Sequence, residues 1–224
     1  MATEYKIRDG AGGMQDALVE AAVNKQRSVI ISNEELEWVK AGRVFSAHHG
    51  ILTTPAAFET DIVRQTPDLM VRTGAGIVII PMMVQVHFEA TGAAVAQVVI
   101  STCNNDPGNS NMTAYTPINN NSRYATKGSG CTAYITNTGN TGTAPTSVNE
   151  LARMYSPSDL DGLTSVFVPD QFVYNPSAGK GARAIVGAAD SIHAFMVNVG
   201  NGTSSTGYII ATWAEFTYAE FYGS

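Results

Sequence analysis

The run MVQVHFE, residues 83–89, sets Val84, Val86 and Phe88 against Gln85, His87 and Glu89 with a period of two. Successive side chains of a strand point to opposite sides, so this pattern becomes a clean division only in an extended chain with one face buried. The C-terminal run does the same at greater length. There Tyr208, Ile210, Thr212, Ala214, Phe216 and Tyr218 alternate with Ile209, Ala211, Trp213, Glu215 and Thr217. A strand so long and apolar belongs inside a sheet, because at an edge it would template pairing with other chains. These two segments commit the chain to a sheet packed on a core.

The stretch around the first run, TGAGIVIIPMMVQVHFEATGAA (73–94), reads as a strand, a proline and a second strand closed by a small-residue turn. Pro81 cannot donate to a ladder, so it belongs at a strand start, an edge or a bulge. AAVAQVVISTC follows, which predicts an antiparallel hairpin with MVQVHFE. VFSAHHGILTT reads as a broken strand pair, and DLMVR, CTAYIT, TSVFVPDQFVY, ARAIVGAA and DSIHAFMVNVG as further strands. About eight strands between Gly- and Asn-rich turns, without an internal repeat, predict an all-β, jelly-roll-like sandwich of antiparallel strands with one or two short helices.

One helix is expected at SNEELEWVKAG, where Ser32 or Asn33 caps, Glu34 and Glu35 occupy the first turn and Gly42 ends it. A second is expected at SVNELARMYSPSDL, capped by Ser147 or Asn149 and stopped before Pro157. MQDALVEAAVNKQ fits either a short helix, with Met14, Ala17, Leu18, Ala21 and Ala22 on one face, or an extended arm. The chain divides into an N-terminal arm, 1–43, and a β-sandwich, 44–224, with polar loops at 104–122 and 137–147. Loops of that length are usually functional or held by outside contacts, and Tyr115, Ile118, Tyr124 and Tyr134 argue for anchoring.

Charged residues are 14% of the chain, against a typical ~25%. Thr, Ser, Asn, Gly and Ala take their place, and neutral polar groups cost less to bury under a neighbour than ions do. The composition suits an assembly. A net charge of −6, with 13 scattered Lys and Arg, argues against direct nucleic-acid binding, which needs a clustered basic face. No apolar run reaches the ~18 residues of a membrane span. MATEYKIRDGAGG lacks the pattern of a secretory signal, so the expected place of assembly is a cytoplasm, with Cys103 and Cys131 as free, buried thiols.

Sites of chemistry are sparse. His48 and His49 are adjacent, so on a strand they face opposite sides, and His87 and His193 stand singly. There is no HxH, GxSxG, GxxxxGK[ST] or HExxH. Cys131 would need a histidine beside it to act as a nucleophile. Asp159 and Asp161 resemble a helix-end turn more than a calcium loop. The cluster Trp213, Phe216, Tyr218, Phe221 and Tyr222 is core or a stacking platform. No catalytic, cofactor-binding or metal-ligating residue and no cofactor is expected.

The segment KIRDGAGGMQDALVEAAVNKQRSVI, followed by TPDLMVRTGAGIVIIPMMVQV, resembles the N-terminal arm and β-rich body of virion structural proteins of tailed bacteriophages. The resemblance covers about the first 100 residues, and the insert at 104–147 departs from it. It implies a jelly-roll protein that trimerises and sits on the virion as a capsid cement (decoration) protein or fibre-base component. Its partners would be itself and the major capsid protein or another virion protein. In the arm, Tyr5, Ile7, Arg8, Leu18 and Val29 are the expected interface residues. Two other readings stay open: a glycan- or receptor-binding tail or fibre module using the 104–147 loops, and a cupin-like or glycosidase-like enzyme.

Overall fold

A computed structural model describes residues 5–8, 14–17, 34–51, 53–90, 96–108, 112–136, 143–155, 171–200 and 205–223. The elements are β1 (Tyr5–Arg8), β2 (Met14–Ala17), α1 (Glu34–Lys40), β3 (Val44–His49), β4 (Ala56–Phe58), β5 (Leu69–Arg72), β6 (Ile77–Ala90) and β7 (Gln97–Cys103). They continue with β8 (Met112–Tyr115), β9 (Ile118–Asn119), β10 (Thr132–Thr136), β11 (Asn149–Tyr155), β12 (Gln171–Tyr174), β13 (Ala194–Gly200), β14 (Ser205–Thr217) and α2 (Tyr218–Tyr222).

Eight of these strands form four antiparallel pairs: β3 with β14, β5 with β13, β6 with β12 and β7 with β11. The chain is thus a two-stranded ribbon whose successive pairs fall alternately on two sheets. One sheet runs β11-β7-β13-β5-β10-β8 and the other β12-β6-β14-β3-β9, with β4 also on β14. This is the expected jelly roll, an all-β sandwich. The insert between β7 and β11 lies at the ribbon's far turn. Its strands extend both sheets, β10 and β8 beyond β5, and β9 beyond β3.

The core lies between the sheets. Phe45 and Ala47 of β3, Val84 and Val86 of β6, and Ile209, Ala211 and Trp213 of β14 meet Leu69, Val71, Val98, Ile100, Phe195 and Val197 from the facing sheet. Val84 and Val86 of the first alternating run are thus buried and Phe88 is half-buried against the same core, and β14 is interior.

Several expectations need correction. β6 is one strand of 14 residues, not two strands around a proline. Pro81 pairs with Trp213 at a bulge, where the register shifts between Thr212 and Trp213, which accommodates the missing donor. β6 and β7 form no hairpin, because they lie in different sheets. Asn149–Tyr155 is a strand rather than a helix: Leu151 is taken into the core at a bulge, and β7 supplies the ladder. Of the two alternatives for MQDALVEAAVNKQ, the described part, Met14–Ala17, takes the extended one and pairs with Tyr5–Arg8. The loop 104–122 contains β8 and β9. β14 stops at Thr217, whose hydroxyl accepts from the Glu220 amide while the Glu220 carboxylate accepts from the Thr217 amide, a capping box that opens α2. In ARAIVGAA only Val186 bridges, to Ile79. Ser32, Asn33, Pro157, Asp159 and Asp161 lie outside the described residues, as does all of TSVFVPD.

Candidate interaction surface

Tyr5, Ile7 and Arg8 lie on β1, which pairs with β2 in a two-stranded sheet of its own, Tyr5 opposite Ala17 and Ile7 opposite Gln15. Leu18 and Val29 lie outside the described residues. α1 packs on its own sandwich: Trp38 meets Phe216 edge-on with centroids 5.4 Å apart.

The two outer faces of the sandwich differ. On the β5–β7–β13 sheet, Met70, Cys103, Tyr134, Ala194 and Met196 form a second small cluster, against which Met112 and Val148 of the insert pack. Arg72 lies over the Tyr134 ring and pairs with Asp106. Towards the β11 edge, Glu150 is paired with both Arg64 (2.7 Å) and Arg153 (2.8 Å). That face is closed by the insert and carries ion pairs.

Among the described residues, the outer face of the other sheet is covered mainly at one end. There α1 and α2 close over it: Phe216 packs against Trp38 and Phe221, and Arg43 sits 5.2 Å above its ring. Arg43 also holds Glu220 by two hydrogen bonds of 3.1 Å, which draws that carboxyl's pKa down to about 2. Beyond this end three cross-strand rows follow. Met83, Thr212, Ser46 and Ile118 form the first, Val173, Gln85, Ile210 and His48 the second, and Gln171, His87 and Tyr208 the third. Asn120 reaches over the first row to Ser46, whose hydroxyl also meets that of Thr212. In the other two rows every side chain but Gln171, which is exposed, is half-buried, and Ile118 is 53% exposed. None of the eleven is Lys, Arg, Asp or Glu. The next carboxylate along β6 is Glu89, exposed, where the register shifts.

A solvated sheet face normally carries charged or strongly polar residues opposite its buried ones. Here Tyr208, Ile210 and Val173 stand where that pattern calls for Lys or Glu. The signal was present in the sequence, since both alternating sets of β14 are largely apolar. What the sequence could not tell was which part of the face the chain covers itself.

The titratable groups singled out are mostly structural. The two adjacent histidines diverge as expected. His48 faces outward beside Tyr115, while buried His49 donates through Nδ1 to the Asp68 carbonyl (2.7 Å). Burial lowers the His49 pKa. The Asp68 carboxylate, buried, accepts from the amides of Val199 (2.6 Å) and Glu59 (3.1 Å), tying the 59–68 loop to β13. Burial pushes its pKa up to about 7. Glu215 accepts from Trp213 Nε1 (2.7 Å), the Gly130 amide (2.8 Å) and the Ser129 hydroxyl. Cys103 and Cys131 are free and buried, and burial raises both thiol pKa values. Cys131, with the Glu215 carboxylate nearby, is held as the unreactive thiol. His87 stacks on Tyr208, and His193 meets Ser191. Among the described residues no group of three or more His, Cys, Asp or Glu is placed to hold a metal ion, and no helix is long and apolar enough to cross a membrane.

Two described asparagines of the insert spend their amides inside the molecule. Asn121 Nδ2 donates to the carbonyls of Val39 and Lys40 and Asn119 Nδ2 to that of Gly42, which ties the insert to the C-terminal end of α1. Tyr124 packs where a side chain on Gly42 would lie. One cleft of about 350 Å³ opens between α1, β6 and the turn at Pro176–Ala178. Trp38, Pro81, Met82, Glu34, Glu35 and exposed Arg183 are among its lining. Glu35 accepts from Ser177 across it.

No protein-family description, curated protein or solved structure matches the chain.

Proposed function

We propose that this chain is a structural virion protein: a homo-oligomeric jelly roll, three copies being the number its sequence resemblance implies, that binds an assembled phage head as a cement (decoration) protein. It acts by binding rather than by catalysis, and it is made and assembled in the host cytoplasm. The observation that carries the reading is the uncharged outer face of the β12-β6-β14-β3-β9 sheet, a surface made for a neighbour rather than for water. The low charge of the whole chain supports it. A protein that binds only the assembled lattice stabilises the shell by mass action, as any ligand specific to one state does. The N-terminal arm, with Tyr5, Ile7, Arg8, Leu18 and Val29, is the lattice clamp. Several copies held together multiply a weak contact through effective concentration.

Deleting residues 1–30 is expected to leave a folded body that no longer binds undecorated particles in co-sedimentation. Full binding by the truncated chain would remove the clamp role from the arm.

A second reading, a glycan- or receptor-binding tail or fibre module, has one observation in its favour. The cleft beside α1 combines an indole, two carboxylates and a guanidinium, the groups that stack on and hydrogen-bond sugars. On a glycan array this reading expects a signal that Trp38→Ala abolishes, and a blank array counts against it.

A further inference from the structure

We propose that the uncharged outer sheet face is the contact between two copies of this chain, packed face to face about a two-fold axis that passes near Ile210. The inference rests on the assembly reading above and names its partner and geometry.

Charge is the first argument. The chain carries −6, so two copies repel as they approach, and a contact between them forms where no like charges are brought within a Debye length of ~8 Å. The rows through Ile210 and Tyr208 contain no Lys, Arg, Asp or Glu. Their polar members, Gln85, His48 and Tyr208 among them, carry amide, imidazole and phenol groups that can both donate and accept. A two-fold contact places the same patch on both sides, so the patch must complement itself. A face bearing ions of one sign fails that test; this one passes it.

Position is the second. β14 is the middle strand of β12-β6-β14-β3-β9, and Ile210 stands near the middle of its exposed part, opposite Gln85 on one side and His48 on the other. An axis there sets Ile210 against its own copy, with neighbours on every side to exclude water.

Size is the third. Four strands ~4.8 Å apart and about six residues at ~3.3 Å each make a patch on the order of 400 Å². Stable partners bury about 800 Å² each. The pair is therefore reversible by itself and becomes firm when other contacts tether the copies. A three-fold contact elsewhere on the surface is compatible with it, the two together closing a six-copy particle.

The test is sedimentation velocity of the full-length chain at rising concentration, beside Ile210→Lys and, as a control, Tyr155→Lys on the β11 edge. A copy number that doubles as concentration rises is expected for the wild type and the control. Ile210→Lys, which sets two ammonium groups against each other at the axis, is expected to weaken pairing by about tenfold or more. Ile210→Cys, a milder change, is expected to form a disulfide between copies under a mild thiol oxidant, since a two-fold axis brings the two positions within bonding range. Oligomers that ignore Ile210→Lys, with no crosslink from Ile210→Cys, overturn the face while leaving the assembly reading intact. A wild-type monomer at every concentration overturns both. Hydroxyl-radical labelling of Met83 and Tyr208 in such a monomer then separates a bare face from one taken by the chain's own residues 18–33.

Discussion

Asp68 shows how a single buried carboxyl couples this fold to pH. Its folded pKa, raised to about 7, stands above an unfolded value of about 3.9. Between those values the folded chain binds the extra proton, so Asp68 adds stability as pH falls through 7 and removes it as pH rises. His49, its pKa lowered by burial, works in the opposite direction below about 6.5, so the wild-type curve alone does not isolate either group. Comparison with Asp68→Asn does. The stability of the wild type relative to the variant, from urea titrations, is expected to grow by about 1–3 kcal/mol between pH 8 and pH 5. Parallel curves would mean that Asp68 is ionised throughout. Gly42 is a second residue whose identity is forced. Its φ is +65°, and a Cβ there would lie 2.6 Å from Tyr124 Cδ2. Gly42→Ala is expected to cost about 2 kcal/mol in the same titration, and a neutral result would mean that the insert does not pack on the end of α1.

At the level of elements, long alternating runs were readable and short or helix-favouring ones were not. β6 and β14 state their faces in sequence, because burial on one side of a sheet leaves a period of two. β11 does not: NELARMY is rich in helix formers, and only the ladder to β7 and the core position of Leu151 make it a strand. Tertiary packing outweighs propensities of a few tenths of a kcal/mol per residue. Leu151→Ala is accordingly expected to destabilise by about 2–4 kcal/mol, whereas Tyr155→Ala, at a position 66% exposed, should stay within about 0.5 kcal/mol of wild type. Equal effects would return the segment to a helix lying on the surface. The start of α2 was legible in principle, since Thr217 and Glu220 have capping-box spacing, but the alternation of β14 runs into it without a break. The role of part of the insert was hidden for another reason. Its asparagines at 119 and 121 bond the end of a helix that comes some 80 positions earlier in the chain. No local pattern reveals such a partner.

For the molecule as a whole, the ribbon of four strand pairs fixes which surfaces face out, and the chain then treats its two outer faces differently. One is closed by the insert and studded with ion pairs; the other is closed at one end by two short helices and left neutral beyond them. The arm residues expected to form the interface were chosen on resemblance, whereas the neutral face emerges only when the strands are placed in register. Its residues are scattered between positions 46 and 212 of the sequence, and no window of sequence shows them as a patch. The central claim is that this face exists to be covered by another copy. The decisive experiment is the native mass of the purified full-length chain beside that of Ile210→Lys: a copy number that doubles with concentration in the first and not in the second is expected, whereas a mass that never rises, or one that rises equally in both, sinks the idea.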